Sequence, residues 1–399
     1  MIQSIILTGL ILITSVIAGQ PQSVKATQKW VKKNGHTIIK DFAHLLSMPN
    51  VASDKVNIRR NAKYISNLFK KRGFDMQLLE TEDANPIIYG EYKTPGAKRT
   101  LCFYVHYDGQ PVDLIQWTHG PFDPVLYDAS MDAGGKPIPL PMKQTKIDPE
   151  WRLYARSAGD DKAPIMTILN AVDGLQSSEI GFTSNIKLFF EGEEEAGSTN
   201  LEAHLTKHKA LLDDIDIWLF CDGPMHQSRQ PQLVFGVRGV TGMEITVYGA
   251  TRSLHSGHYG NWAPVPGQSL AHLIATMKDE NGKVLIDGFY DTVVPLSEFE
   301  RFELSKIPDV DRQLKKELGL AYTEGNGQSI NERLLLPSLT IKGLSSGNVG
   351  KKARNVIPNT ATAAIGVRLV KGNDPKDMLD KVEAHIRSQG FHIVNDEPD

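Results

Sequence analysis

The sequence has few cysteines, no excess of charge of either sign, and no long apolar run beyond its first residues. Its two cysteines, Cys102 and Cys221, are too few for a disulfide scaffold and lack the close spacing of a zinc ribbon. The 44 Lys and Arg residues nearly balance the 47 Asp and Glu residues, so the basic excess typical of nucleic-acid-binding proteins is absent. Any metal site must therefore use histidine and carboxylate ligands.

The length and the composition predict a folded protein of two domains. The chain has 399 residues, whereas a typical domain has about 100–200. Hydrophobic residues make up 40% and charged residues 23%, a composition that provides a core and differs from that of disordered chains.

The N-terminus differs in composition from the rest of the chain. Residues 1–24 carry no charged side chain, and residues 5–18 form an apolar stretch before polar residues begin. This stretch is shorter than the roughly 20 residues of a membrane span, and Val16-Ile17-Ala18 resembles a cleavage pattern. We therefore expect a signal peptide over residues 1–19 and a secreted or periplasmic protein. An uncleaved anchor, or a first segment of the mature fold, is the alternative.

Hydrophobic spacing predicts an α/β domain followed by an α+β domain. In the first domain we predict helices over 23–48, 56–72 and 163–175, and strands over 100–107, 185–190 and 216–221. This order favours a sheet with sizeable parallel content. The pattern of hydrophobic residues changes near Arg238. After this residue we predict strands over 239–249, 361–370 and 391–394, and helices over 269–278, 297–304 and 374–388.

Histidine and acidic residues follow the predicted strands of the first domain. His106 and Asp108 lie two residues apart at the end of one strand, Asp160 and Asp161 precede a helix, and Asp222 follows another strand. Each alone has an ordinary explanation, such as a strand-end pair or a helix N-cap.

An acidic run, Glu191-Gly192-Glu193-Glu194-Glu195, follows a third strand. Acidic runs are usually solvated surface, but carboxylates at the end of a buried strand repel one another unless a cation or proton lies between them. Ligand sites of α/β sheets gather at the carboxyl ends of strands. Because histidine or acidic residues recur at the ends of several strands, we predict a site for a borderline cation such as zinc. The residues at or near this site are His106, Asp160, Glu194, Glu195 and Asp222.

Six segments in order resemble one family of hydrolases. They are VHYDGQPVD, SAGDDKAP, FEGEEEAGS, the DG of FCDG, RSLHSGHYG and KARNVIPNTATA, and the resemblance covers roughly residues 28–399. The family is that of the cocatalytic di-zinc aminoacylases, carboxypeptidases and dipeptidases, and the carnosinase-type dipeptidases look most similar. The resemblance implies a catalytic domain over 20–237, with a mixed, largely parallel sheet flanked by helices. It also implies an inserted α+β lid, or dimerisation, domain over 238–399.

The resemblance also implies a role for each site residue. His106 and Asp222 would hold one zinc, Glu195 the second, and Asp160 would bridge the two ions, with Asp108 orienting His106 and Glu194 acting as general base. In the lid, His255 would reach the partner subunit's site and stabilise the oxyanion. Asn355 and Arg368 would contact the substrate, with Arg368 pairing with its C-terminal carboxylate.

The sequence departs from the family pattern at two places. Ala155-Arg156-Ser157 stands where Gly-Arg-Gly is common, and Ala163 replaces a usual glycine. The family's last zinc ligand, a histidine in a Gly-rich segment after the lid, has no counterpart before Asp399, because neither His385 nor His392 has that setting. We therefore expect the C-terminal part of the catalytic domain to be missing and the second zinc site to lack its final histidine.

The expected activity is metal-dependent hydrolysis of the amide bond of dipeptides, or of C-terminal residues of small peptides. Two Zn²⁺ per subunit are expected, with Mn or Co as substitutes, together with a homodimer formed through the lid. No nucleic acid is expected as a partner, and no membrane beyond an uncleaved signal. Two alternatives stay open: an N-acyl amino acid amidohydrolase of the same family, and a truncated, catalytically impaired protein that binds peptide or metal. A disulfide between Cys102 and Cys221 also stays open.

Overall fold

The computed structural model describes residues 21–223, 225–394 and 396–398. The predicted signal peptide therefore lies outside the described residues. Within them, no helix combines the length and the apolar character that crossing a membrane requires. The chain divides into two compact units, Met1–Pro224 and Met225–Asp399, which we describe separately. The domain limits derived from the sequence remain a prediction.

The first unit is a mixed sheet flanked by helices. Its described helices are α1 (Gln22–Leu46), α2 (Lys55–Lys70), α3 (Lys162–Gln176) and α4 (Leu201–Lys207). Its described strands are β1 (Asp75–Leu79), β2 (Ile87–Tyr92), β3 (Thr100–His106), β4 (Val125–Tyr127), β5 (Pro137–Ile138), β6 (Arg152–Tyr154), β7 (Asn185–Glu191) and β8 (Ile217–Phe220).

The main sheet has the strand order β1-β2-β7-β3-β8. The pairs β1 with β2 and β2 with β7 are antiparallel, whereas β3 pairs in parallel with both β7 and β8. The register places His106 beside Glu191 and Tyr104 beside Phe220. The predicted α/β fold with a mixed sheet is confirmed, and its parallel part brings the carboxyl ends of β3, β7 and β8 to one edge.

Hydrophobic side chains cover both faces of this sheet. Val105 and Phe190 belong to a core that also includes residues of α2 and α3, whereas Cys102, Tyr104 and Phe189 form a separate cluster. Strands covered on both faces are nearly all apolar, which is typical of the parallel part of α/β sheets. His106, at the end of β3, is consequently fully buried.

The second unit is an antiparallel sheet with helices. Its described strands are β9 (Gly239–Tyr248), β10 (Leu254–His255), β11 (Ser338–Ser345), β12 (Val356–Ile357) and β13 (Thr360–Leu369). Its described helices are α5 (Ser256–Tyr259), α6 (Pro266–Met277), α7 (Glu298–Leu304), α8 (Asp311–Glu317), α9 (Ile330–Arg333) and α10 (Pro375–Ser388). The strand order is β11-β13-β9, and β10 pairs with β12. Alternate residues of β13, including Ile365 and Val367, are buried in a core with residues of α6 and α10.

Two expectations from the sequence change with the structure. The predicted strand over 391–394 is wrong, because these residues pair with no strand. They follow Gly390, whose φ of 87° ends α10, and Phe391 and Ile393 pack against the second core instead. The disulfide left open from the sequence is not formed, since Cys102 and Cys221 are both free thiols.

Candidate metal centre

His106 is the centre of the site. Its Nδ1 lies 3.2 Å from the carbonyl oxygen of Asp108 and 3.4 Å from the Asp108 carboxylate. These contacts hold the ring so that Nε2 faces the strand ends, where the Asp160 carboxylate lies at 2.7 Å. A buried histidine oriented by a neighbouring acid is a typical arrangement for a metal ligand.

Asp160 and Asp161 lie in the turn before α3 and are joined by a cis peptide bond. Although Asp161 is the N-cap residue of α3, its side chain makes no capping hydrogen bond. Its carboxylate instead accepts a hydrogen bond from the backbone N–H of His106 at 3.2 Å. The Asp160 side chain, by contrast, is 68% exposed. The pair is therefore not explained by helix capping, and only Asp160 is available to a ligand.

The acidic run after β7 divides into structural and site residues. Glu191 is buried and accepts a hydrogen bond from the Tyr104 hydroxyl at 2.6 Å. Glu193 accepts hydrogen bonds from the backbone of Asn85 at 2.7 Å and from the side chains of Lys55 and Asn200. Both side chains are thus engaged in holding the fold.

The next two residues of the run, Glu194 and Glu195, differ in their partners. The Glu194 carboxylate lies 3.8 Å from His106 Nε2. The Glu195 carboxylate accepts a hydrogen bond from Gln110 at 2.6 Å. Asp108 orders this turn, because its carboxylate accepts from the backbone N–H groups of Glu194 at 3.2 Å and Glu195 at 3.0 Å. One buried carboxylate therefore contacts both the histidine and the acidic turn.

Asp222, just after β8, completes a three-residue cluster. Its carboxylate lies 4.0 Å from His106 Nε2, and the ligand atoms of His106, Asp160 and Asp222 all lie within 4.8 Å of one another. Tetrahedral ligands about 2.0–2.2 Å from a zinc ion lie about 3.3–3.6 Å apart, and the 2.7 Å and 4.0 Å separations measured from His106 Nε2 fall on either side of that range. Glu195 is outside this cluster.

The charges of the site favour a cation. Burial lowers the pKa of His106, but the hydrogen bond and charge of Asp108, with Asp161 and Asp160, outweigh it and raise the pKa to about 10. Burial raises the pKa of Asp161 to about 8. Burial also raises the pKa of Glu194, which His106 opposes and Asp222 and Glu195 reinforce. Carboxylates thus outnumber the single histidine, and a divalent ion would relieve their repulsion.

The predicted lid residues all lie in the second unit. His255 ends β10, and the carbonyl of Asn355 accepts a hydrogen bond from the N–H of the following residue, Ser256, at 3.0 Å. Arg368 is exposed on β13, opposite Val240 of β9. The structure therefore brings His255 and Asn355 together. Arg368 lies eight residues beyond Thr360, toward the other end of β13.

Several residues that shape the site were not predicted from the sequence. Asn50 donates hydrogen bonds to Tyr107 and Ser157, and Gln110 binds Glu195. Lys162 is fully buried and donates to the carbonyls of Leu45 and Met48, and this burial lowers its pKa to about 7. Gln110 and Lys162 had a signal, because they lie within the segments VHYDGQPVD and SAGDDKAP, whereas Asn50 lies outside every quoted motif.

Comparisons with known proteins find similar metallopeptidases. The sequence profile of the peptidase dimerisation domain matches residues 235–393. The chain is 28% identical to the Cys-Gly metallodipeptidase of Candida albicans over 362 residues, which cover 86% of this chain and 71% of that protein. It is 29% identical to the human Beta-Ala-His dipeptidase over 308 residues, which cover 75% of this chain and 56% of the human protein.

Solved structures show the same similarity. A metallo-carboxypeptidase of the M20 family from Sulfolobus solfataricus matches with a TM-score of 0.69 and 30% identity, over 89% of this chain and 76% of that one. Human carnosine dipeptidase 1 matches with a TM-score of 0.72 and 23% identity, over 92% and 76% of the two chains.

The predicted secreted or periplasmic location is wrong. Curated relatives that match 86% and 92% of the chain are the fungal Cys-Gly metallodipeptidases of Candida albicans and Schizosaccharomyces pombe, which are cytosolic enzymes. The apolar N-terminal stretch on which that location depended lies outside the described residues. We therefore withdraw the location.

Proposed function

Because the chain belongs to the M20 family of metallopeptidases, we propose that it hydrolyses the peptide bond of dipeptides at the His106 centre. The observation that carries the proposal is the cluster at the strand ends. There His106 Nε2 lies 2.7 Å from Asp160 and 4.0 Å from Asp222. A cluster of one histidine and several carboxylates suits zinc, with manganese or cobalt as substitutes.

We propose that His106, Asp160 and Asp222 hold the first ion. A second ion would share Asp160 and take Glu195, whose carboxylate is held by Gln110 in this structure. The residues present fit a divalent ion, because two exposed carboxylates and one buried imidazole have ligand atoms within 4.8 Å of one another. When bound, such an ion lowers the pKa of a water molecule and polarises the amide carbonyl.

Glu194 is proposed as the group that accepts and returns the proton. Its carboxylate is 36% exposed and lies 3.8 Å from His106 Nε2, so its Oε2 is at the site and open to solvent. Burial raises its pKa, which brings the carboxylate closer to the value suited to proton transfer near neutral pH. Glu194 Oε2 would take the proton of the attacking water and deliver it to the leaving amine. Asp108 would keep Glu194 in place through its hydrogen bond to the Glu194 N–H.

The lid supports the proposal that two copies of the chain act together. Arg368 would bind the substrate's C-terminal carboxylate through its planar guanidinium, and Asn355 would contact the substrate near His255, which would stabilise the oxyanion. Thr360 and Arg368 are eight steps apart on β13, about 26 Å at about 3.3 Å per residue. A dipeptide spans only about 7 Å. His255 pairs with Val356, four residues before Thr360 and away from the Arg368 end of β13. A single dipeptide would therefore meet His255 of one copy and Arg368 of another in a homodimer formed through the second unit.

The experiment is a substrate panel with metal-free and metal-loaded protein. We expect zinc- or manganese-dependent release of amino acids from dipeptides, and loss of most of this activity with the matching dipeptide amides, which lack the carboxylate for Arg368. Preferred cleavage of N-acyl amino acids would indicate an amidohydrolase instead. Stoichiometric metal binding without turnover of any substrate would refute the proposed hydrolysis and favour a binding protein.

A further inference from the structure

We infer that Asn50 is a positioning residue of the metal centre, which holds the end of β3, carrying His106, and the turn carrying Asp160 at a set distance from each other. The inference rests on the metal site proposed above. Asn50 lies between α1 and α2, outside every motif of the sequence, and it is fully buried. It would contact no metal and no substrate, and would act through the residues that do.

The side chain of Asn50 bonds both ligand-bearing segments at once. Its Nδ2 donates to the carbonyl oxygen of Tyr107 at 2.8 Å and to Ser157 Oγ at 2.9 Å. Tyr107 is the residue between His106 and Asp108, and Ser157 precedes Asp160 by three positions. An amide nitrogen has two hydrogens, so Asn50 uses one on each segment.

The backbone beside Asn50 strengthens the same connection. The carbonyl of Asn50 accepts a hydrogen bond from Gly109 N at 2.9 Å, and Val51 forms a parallel bridge with Gly109. A Cβ at Gly109 would overlap Ser157 Oγ, so the two segments pack directly on each other. Asn50 therefore contacts both segments where they pack on each other.

The unpaired amide oxygen of Asn50 indicates that the two hydrogen bonds donated by Nδ2 fix the orientation of the side chain. Asn50 Oδ1 is buried and has no hydrogen-bond partner among the described atoms. Reversing the amide would place this oxygen against the Tyr107 carbonyl, where two acceptors repel. A buried polar atom without a partner destabilises the folded chain. A residue that carries this cost at the junction of two ligand segments fits a role in positioning better than a role in stability.

Asn61 provides a matched control within the same fold. It is also fully buried, its Nδ2 also donates two hydrogen bonds, to the carbonyls of Pro49 and Asn57 at 2.8 Å each, and its Oδ1 also lacks a partner. Neither of these hydrogen bonds reaches the end of β3 that carries His106 or the turn that carries Asp160. Replacing either asparagine with leucine removes two hydrogen bonds, and we expect only Asn50→Leu to change the spacing of the ligands.

The test is a Co²⁺ titration of the metal-free full chain, followed by visible absorption, with thermal unfolding measured in parallel. We expect Asn50→Leu to weaken Co²⁺ binding about tenfold or more, as residues that orient ligands commonly do, and to shift the absorption bands. Asn61→Leu should keep the wild-type affinity and bands while losing similar thermal stability. Should Asn50→Leu fail to fold, Ser157→Ala removes one of the two bonds and should give a smaller change in the same direction.

Each other outcome overturns the inference in a distinguishable way. Wild-type affinity and bands in Asn50→Leu, or in Ser157→Ala where that variant is used, would show that Asn50 does not position the ligands. An equal loss of Co²⁺ affinity in Asn61→Leu would show that any buried asparagine of this region has the same effect. Absence of Co²⁺ binding by the wild-type chain would refute the proposed metal site itself.

Discussion

Replacing Asp108 with asparagine should weaken both metal binding and the fold. Asp108 is fully buried, and its two oxygens accept the N–H groups of Glu194 and Glu195 while it also contacts His106 Nδ1. Asparagine keeps one acceptor oxygen but points an NH₂ group at the other backbone N–H. One charged hydrogen bond is lost and one donor stays unsatisfied, at a cost of about 1–3 kcal/mol in the free energy of unfolding.

The same change should lower zinc affinity by about 10–100-fold, the usual effect of removing a carboxylate that orients a histidine ligand. The assay is competition between the protein and a chromophoric chelator for zinc, with urea unfolding of the same samples. Asp161→Asn is the control, because Asp161 is equally buried but accepts a single N–H, that of His106, through one oxygen that asparagine keeps. Wild-type zinc affinity in Asp108→Asn, or an equal loss in Asp161→Asn, would refute this reasoning.

Three further predictions concern the proton acceptor, the second core and the lid. Glu194→Gln should lower kcat about 10²–10⁴-fold with zinc content unchanged. The control Glu193→Gln, which loses the charge paired with Lys55, should mainly lower the unfolding temperature. Retained turnover in Glu194→Gln would exclude Glu194 as the proton acceptor. Burial lowers the pKa of His385, so its contribution to the stability of the second unit should be fully present above the unfolded pKa of about 6.5 and be lost as the pH falls through that value. Urea unfolding at several pH values should show a smaller dependence of the free energy of unfolding on pH in His385→Gln. An unchanged pH dependence would contradict this prediction. Arg368→Met should raise KM for dipeptides about 10–100-fold, with little effect on KM for dipeptide amides, as measured by steady-state kinetics. An equal rise in KM for both substrates would count against binding of the substrate carboxylate by Arg368.

The layout of the first unit could be predicted because apolar strands and amphipathic helices alternate clearly along the chain. The predicted strand over 100–107 became β3, Thr100–His106, and the helix over 163–175 became α3, Lys162–Gln176. Strand β1, Asp75–Leu79, was not predicted, since it mixes polar and apolar residues and only its last residue, Leu79, is buried. Its place depends on pairing with β2, a contact that local spacing does not reveal.

The site could be predicted only in part, because the roles of neighbouring acids depend on distant partners. Three glutamates in a row carry the same chemistry, yet Glu193 is bound by Asn85 and Lys55, and Glu194 is not. The capping explanation of Asp161 likewise failed because its carboxylate binds His106 N instead. Asn50 had no motif at all, and only the folded chain places it between two ligand segments.

The central claim is that the His106 cluster is a metal centre that performs hydrolysis. The most direct measurement is the rate of dipeptide hydrolysis against the amount of bound zinc, both determined on the same samples of wild type and His106→Ala. We predict that the rate rises in proportion to bound zinc in the wild type, and that His106→Ala loses both zinc and turnover. Turnover by zinc-free protein, or by His106→Ala at the wild-type rate, would contradict the claim.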